Sequence, residues 1–169
     1  RWPSLRYDSA PQRLLDRTMK TLRYLPILAL AAATARAMPP DACSVITMEE
    51  INTIAEGVAS KVSPRKSGNP SQCAFEDARR AAVFIVTLRE VKYAAENELQ
   101  YERENLEKIY RSKVKWIEGV GDRAFWLQAN KTAMFRKGKL LVTLTFAREK
   151  NAKEIDTLQA ARLVEARLK

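Results

Sequence analysis

Gly119-Val120-Gly121-Asp122-Arg123-Ala124 matches G-x-G-x-x-A, the outline of a dinucleotide-binding loop. Such a loop works when a strand enters it and a helix leaves it, because the helix N-terminus supplies the N–H groups and dipole that hold a pyrophosphate. Here the next residues, Arg123-Ala124-Phe125-Trp126-Leu127-Gln128, form a strand pattern. The stretch therefore reads as a strand–strand turn. Gly119 and Gly121 supply positive φ, and Asp122 hydrogen-bonds the turn backbone. A second chemistry would come from Glu96, Glu98, Glu102, Glu104 and Glu107, since carboxylate pairs carry glycoside hydrolysis. Their interleaving with Arg103 and Lys108 is that of an exposed helix face. The chain has no histidine. That removes Ser-His-Asp and Cys-His nucleophilic schemes and the commonest general base near neutral pH. Two cysteines alone cannot complete a tetrahedral zinc set. No cofactor and no metal site is expected.

Binding is the remaining class of chemistry. Arg123 with Asp122 beside Trp126 would suit an anionic or sugar-like ligand. The competing reading has Asp122 serving the turn, Arg123 solvated, and one of Phe125 and Trp126 in the core. Three basic groups follow: Arg111/Lys113/Lys115, Arg136/Lys137/Lys139 and Arg148/Lys150/Lys153. Alternate residues of a strand share a face, so Lys137 and Lys139 flank a hairpin tip. Together these cations could meet phospholipid heads, an acidic glycan or an acidic protein partner. Equally, they could be a solvated edge on which lysine discourages strand-to-strand aggregation.

The elements that position these residues begin well inside the chain. From Met19 the text reads as a secretory signal: Lys20 and Arg23 as the positive region, residues 25–33 (LPILALAAA) as the apolar core, and Ala35-Arg36-Ala37 as the cleavage site. The apolar run is too short for a bilayer core, which needs about 20 residues. Residues 1–18 show no apolar periodicity and are expected to be upstream sequence from a mis-set start, or part of a fragment. One domain is expected over residues 38–169. The whole chain carries a net charge of +10. Seven basic residues (Arg1, Arg6, Arg13, Arg17, Lys20, Arg23, Arg36) against Asp8 and Asp16 place half of that excess ahead of residue 38. The remaining +5, with no groove-reading element, argues against nucleic acid as a partner. In an exported chain, Cys43 and Cys73 read as a disulfide, with two free thiols as the alternative.

Thr47 with Glu50 three residues on is a capping box for a helix over 48–58. Residues 63–72 (SPRKSGNPSQ) read as a surface loop. Cys73-Ala74-Phe75 and residues 81–91 read as strands. Residues 92–113 form a helix whose stripe is Ala95, Leu99, Leu106 and Ile109, with Tyr93, Tyr101 and Tyr110 beside it. Strands are expected at 114–117, 123–128, 132–136 and 139–146, the last two joined at Lys137-Gly138. Asn151 is expected to cap a final helix, with Glu154 at N3 and Leu158, Ala161, Val164 and Leu168 inward. The order is α-β-β-α-β-β-β-β-α: an α+β domain with one antiparallel sheet covered by three helices and one disulfide.

Three motifs in this order, Asp41-Ala42-Cys43-Ser44-Val45-Ile46-Thr47, Cys73-Ala74-Phe75 and Gly119-Val120-Gly121-Asp122-Arg123-Ala124-Phe125-Trp126, carry a resemblance. The chain resembles the small secreted and lipoprotein domains of bacterial cell envelopes, over nearly all of residues 41–168. The resemblance implies an α+β envelope domain with one disulfide and no assigned chemistry. Pro40-Asp41-Ala42 before Cys43 is not a lipobox, so a soluble periplasmic or secreted location is expected rather than a tethered one. The functional expectation is a non-enzymatic envelope protein that binds a macromolecular partner or an anionic envelope component. Arg123, Trp126, Arg136, Lys137 and Lys139 are its candidate binding residues. The alternative is a carboxylate-based hydrolase, or a modulator of one.

Overall fold

Residues with β-branched and aromatic side chains in a period of two supply most of the sheet, and each helix has an inward apolar stripe. The computed structural model describes residues 40–168 apart from 56, 93–94 and 148–152. Among the described residues the elements are α1 (Met48–Ile54), β1 (Lys61–Lys66), β2 (Ser71–Glu76), β3 (Ala82–Glu90), α2 (Ala95–Tyr110), β4 (Lys115–Ile117), β5 (Arg123–Leu127), β6 (Thr132–Lys137), β7 (Leu140–Phe146) and α3 (Glu154–Arg167). The strands form one antiparallel sheet in the order β1-β2-β3-β7-β6-β5-β4. The α+β class and the disulfide agree with the sequence reading: Cys43 and Cys73 are bonded, with their Cα atoms 5.1 Å apart.

Alternation sorts the sheet into two faces. Phe75, Phe84, Val86, Val142, Leu144, Phe135 and Trp126 face α1 and α3, which contribute Ile51, Ile54, Ala160, Ala161 and Val164 to one buried cluster. Phe125, Met134 and Leu141 face the other way and bury Leu99 of α2, with Leu106 packed against them. So α1 and α3 cover one face and α2 packs on the other.

Four expectations change. The expected loop over 63–72 shrinks to 67–70, because 63–66 belong to the edge strand β1 and 71–72 to β2. Pro64 lies within β1 because an edge strand needs no outward N–H, and a register shift follows between Pro64 and Lys66. Helix α1 stops at Ile54, where Ala55 caps it and Gly57 takes φ +74. Ile109 is 70% exposed rather than in the α2 stripe. On a helical wheel it lies about 80° from Leu99, off the inward line through Leu99 and Leu106. Helix α3 begins at Glu154, with the Asp156 carboxylate accepting from the Lys153 N–H at 2.9 Å. The expected cap, Asn151, lies outside the described residues, as do Arg148 and Lys150.

Candidate anion-binding site

The loop between β4 and β5 is a structural joint. Gly119 has φ +71 and Gly121 φ +58. A Cβ on Gly121 would run into the Arg136 carbonyl oxygen. The Asp122 N–H donates to that carbonyl at 2.7 Å, and an Asp122 carboxylate oxygen accepts the Gly138 N–H at 2.8 Å. Val120 is buried in the main core. From α3, Glu165 accepts the Gly121 N–H and the Lys137 ammonium, the latter at 2.9 Å. The Gly121 N–H first, then Lys137, hold the Glu165 carboxyl below its usual range; Glu165 in turn raises Lys137. A strand leaves this loop, so the dinucleotide match has no helix N-terminus to hold phosphate.

This joint aligns β5 with β6 so that Arg123 and Arg136 are direct cross-strand partners. Opposite residues on one face of an antiparallel pair have Cβ atoms about 5 Å apart, and like charges so placed repel. The same row continues through Leu141 of β7 to Arg89 of β3. Arg89 is neutralised by two α2 carboxylates, Glu98 at 3.0 Å and Glu102 at 2.7 Å. The Arg123–Arg136 pair is less well served. Arg123 lies 3.3 Å from Glu96, a pair largely open to solvent. Arg136 Nε comes within 3.4 Å of Asp122 Oδ2 but makes no hydrogen bond, although the atom is buried. At 3.4 Å the two groups form an ion pair, and the same oxygen accepts the Gly138 N–H. The hydrogen-bond geometry is the stricter test, so Arg136 Nε counts as unsatisfied.

Trp116 fixes Arg123. Trp116 pairs with Phe125, which makes Arg123 its diagonal neighbour on the same face. The Arg123 guanidinium sits 4.2 Å from the Trp116 ring centroid, and Arg103 of α2 approaches the same ring at 5.9 Å. The indole packs edge-on to Phe125 at 6.0 Å and stays 40% exposed. A cleft of about 410 Å³ lined by residues 116–123 opens beside it.

The expected site residues are thus partly joined and partly separated. Arg123 and Arg136 come together. Trp126 does not join them: three residues along a strand reverses the face, and Trp126 is buried on the α1/α3 side with its indole N–H unpartnered. Lys137 points to the same side and pairs with Glu165. Lys139 is exposed in the turn, where its carbonyl accepts the Val91 N–H at 2.8 Å. A single basic hairpin tip therefore does not form. Trp116 was missed; its place relative to Arg123 across the five-residue turn 118–122 was the available signal.

The α2 carboxylates are each set against a cation. Besides the pairs above, Glu104 lies 3.3 Å and Glu107 3.7 Å from Arg103. Glu107 accepts the Val114 N–H at 3.0 Å, which, ahead of Lys113, lowers its pKa. Among the described residues no group of three or more His, Cys, Asp or Glu is placed to hold a metal ion. No described helix is long and apolar enough to cross a membrane. Comparison with protein-family models, with curated proteins and with solved structures gives no match.

Proposed function

We propose that the protein is exported to the cell envelope and there binds an anionic group, a carboxylate or phosphate borne by an envelope component or a partner protein, between Arg123 and Arg136. The observation that carries this is the cross-strand arginine pair itself. Two arginines are direct cross-strand partners, Arg123 with its guanidinium over Trp116 and Arg136 with a buried Nε 3.4 Å from the Asp122 carboxylate. Planar guanidiniums present donor pairs that match carboxylate and phosphate oxygens. An anion between them would relieve the repulsion between like charges. Export is supported by the signal-like residues 19–37 and by the Cys43–Cys73 cystine, a form that persists in oxidising compartments. The resemblance to secreted and lipoprotein envelope domains points the same way. The hydrolase alternative has less support, because the α2 carboxylates sit against arginines and lysines or cap backbone, and Glu107 is held in its charged form.

The test is the melting temperature of the full chain with inorganic phosphate or citrate. A ligand at ten times its Kd stabilises by about 1.4 kcal/mol, an upward shift of about 3–5 °C for a domain of this size. Arg136→Met should abolish that shift while raising the ligand-free melting temperature, since it removes one of two like charges worth up to about 1 kcal/mol. An undiminished anion response in Arg136→Met and in Arg123→Gln would sink the proposal.

A further inference from the structure

One end of the sheet, remote from the arginine pair, gathers exposed cations from separate parts of the chain. The Phe75–Phe84–Phe146 row is the last full rung before that end, and Lys131 continues it by accepting the Phe146 N–H at 3.2 Å. Beyond this rung lie Lys61 at the start of β1 and Arg79-Arg80 in the β2–β3 turn. The chain enters β4 from the same end, because Lys115 pairs with Trp126 and Ile117 with Ala124. Arg111, which ends α2, and Lys153, ahead of α3, therefore lie toward it too. Lys131 is half-buried, so the exposed cations of this end are Lys61, Arg79, Arg80, Arg111 and Lys153.

Three features make this end more than a scatter of charge. Its described acids are engaged: Glu76 and Asp77 are buried, Glu76 holding Arg65 and Ser63 while Asp77 accepts the Arg79 and Ala81 N–H groups at 2.9 Å, and the partly exposed Glu154 pairs with Lys115. Glu107 and Asp156 bond backbone N–H groups of Val114 and Lys153. Next, the three non-glycine residues with positive φ among those described are all cations: Arg80 (63°), Arg111 (50°) and Lys131 (52°). Glycine or asparagine would suit those positions better, so Arg80 occupies the β2–β3 turn at a conformational cost. Finally, large apolar side chains are exposed beside these cations: Val62 (36%), Ile109 (70%), Tyr110 (43%) and Ile155 (69%).

We infer that this end rests on a bilayer rich in anionic phospholipid. Cations at a membrane surface attract anionic head groups, and apolar and aromatic side chains among them reach the head-group boundary. A polyanionic chain would be tracked by a groove, whereas these cations come from turns at the end of a sheet several strands wide. Docked this way, the protein would hold the Arg123–Arg136 pair several rungs away from the lipid.

The test is co-sedimentation of the full chain with vesicles of phosphatidylcholine alone and of equal parts phosphatidylcholine and phosphatidylglycerol. Binding is expected to the mixed vesicles in preference to the neutral ones, and to fall as salt rises. Each cation lost should weaken it about five-fold, so Arg79→Gln with Arg80→Gly should cost about 25-fold. Arg80→Gly suits the turn, and a melting temperature no lower than that of the unaltered protein excludes misfolding as the cause. Ile109→Ser should weaken the binding that survives high salt. Arg123→Gln with Arg136→Met should leave vesicle binding intact, which separates this surface from the anion site. Equal binding to both vesicle types, or full binding by the Arg79/Arg80 variant, would overturn the inference. So would equally tight binding to soluble polygalacturonate lost through the same substitutions.

Discussion

Charged side chains in this protein divide by the accuracy with which their partners meet them. Arg167 shows the well-met case: its guanidinium spans both Glu50 oxygens at 2.7 Å and donates to the Val45 carbonyl at 3.1 Å. The Arg167 hydrogen bond, helped by the Thr47 N–H and opposed by partial burial, lowers the Glu50 pKa to about 2. A carboxyl depressed in the folded state stabilises above its unfolded value, near 4.5, and that contribution disappears as pH falls through the folded value. Stability should therefore decline between about pH 4.5 and 2, and acid titration of Glu50→Gln should show a shallower decline in that window. With the arginine side chain 38% exposed, solvent screening limits the loss at neutral pH to about 1–2 kcal/mol. Urea melts at pH 7 and pH 3 would measure both; equal slopes in the two proteins would refute the assignment. Arg136, whose buried Nε lies 3.4 Å from Asp122 Oδ2 without hydrogen-bond geometry, is the contrasting case.

At the scale of elements, the β4–β5 loop does what its glycines and aspartate require. It crosses closely over the Arg136 backbone, and it is tied to the hairpin through Asp122 and to α3 through Glu165. The two glycines differ in what surrounds them. Gly119 and Gly121 both have positive φ, but only Gly121 faces backbone where a Cβ would be, while Gly119 meets nothing within 4 Å. Gly119→Ala should cost about 1 kcal/mol for the left-handed backbone. Gly121→Ala should cost about 2 kcal/mol or more, because the Arg136 carbonyl must also move. It should displace the β5–β6 register and with it the anion response. Denaturant melts of the two variants check this, and similar losses would mean that the loop yields easily. The β1 edge also follows local chemistry: Pro64 and the register shift after it break the row of outward hydrogen-bonding groups that a second sheet could join.

The molecule as a whole is held by links between its N-terminal segment and distant parts of the chain. Cys43–Cys73 joins the segment ahead of α1 to β2, and Ala42 N–H donates to the Ser71 hydroxyl at 2.9 Å beside it. The Arg167–Glu50 pair then ties α3 to α1. In the chain-entropy account a loop of this length makes the cystine worth about 3–4 kcal/mol. Cys43→Ser with Cys73→Ser should therefore lower the melting temperature by about 10–15 °C. Since the unfolded chain gains the freedom, the unfolding slope in denaturant should also change. Calorimetry of oxidised and reduced protein would test this, and coincident melts would show the cystine to be inert. The same cystine fits a compartment outside the cytoplasm, where disulfides persist.

Local chemistry was sufficient for much of the architecture. The capping box at Thr47–Glu50, the two-residue period through β5 to β7, the turn at Gly119–Asp122 and the cystine were all legible from residue type and spacing, because each is decided within a few residues or by compartment. Strand β1 was not, since proline, serine and lysine look like a loop until β2 supplies a partner. Nor was the site. Which residues meet across a sheet depends on register and on parity between strands. Register joined Arg123 to Arg136 and Trp116, and parity sent Trp126 and Lys137 to the opposite face. Pairing between strands is a property of the folded sheet, so the chain's own order could name Arg123 and Arg136 as candidates but could neither sort them from Trp126 and Lys137 nor add Trp116.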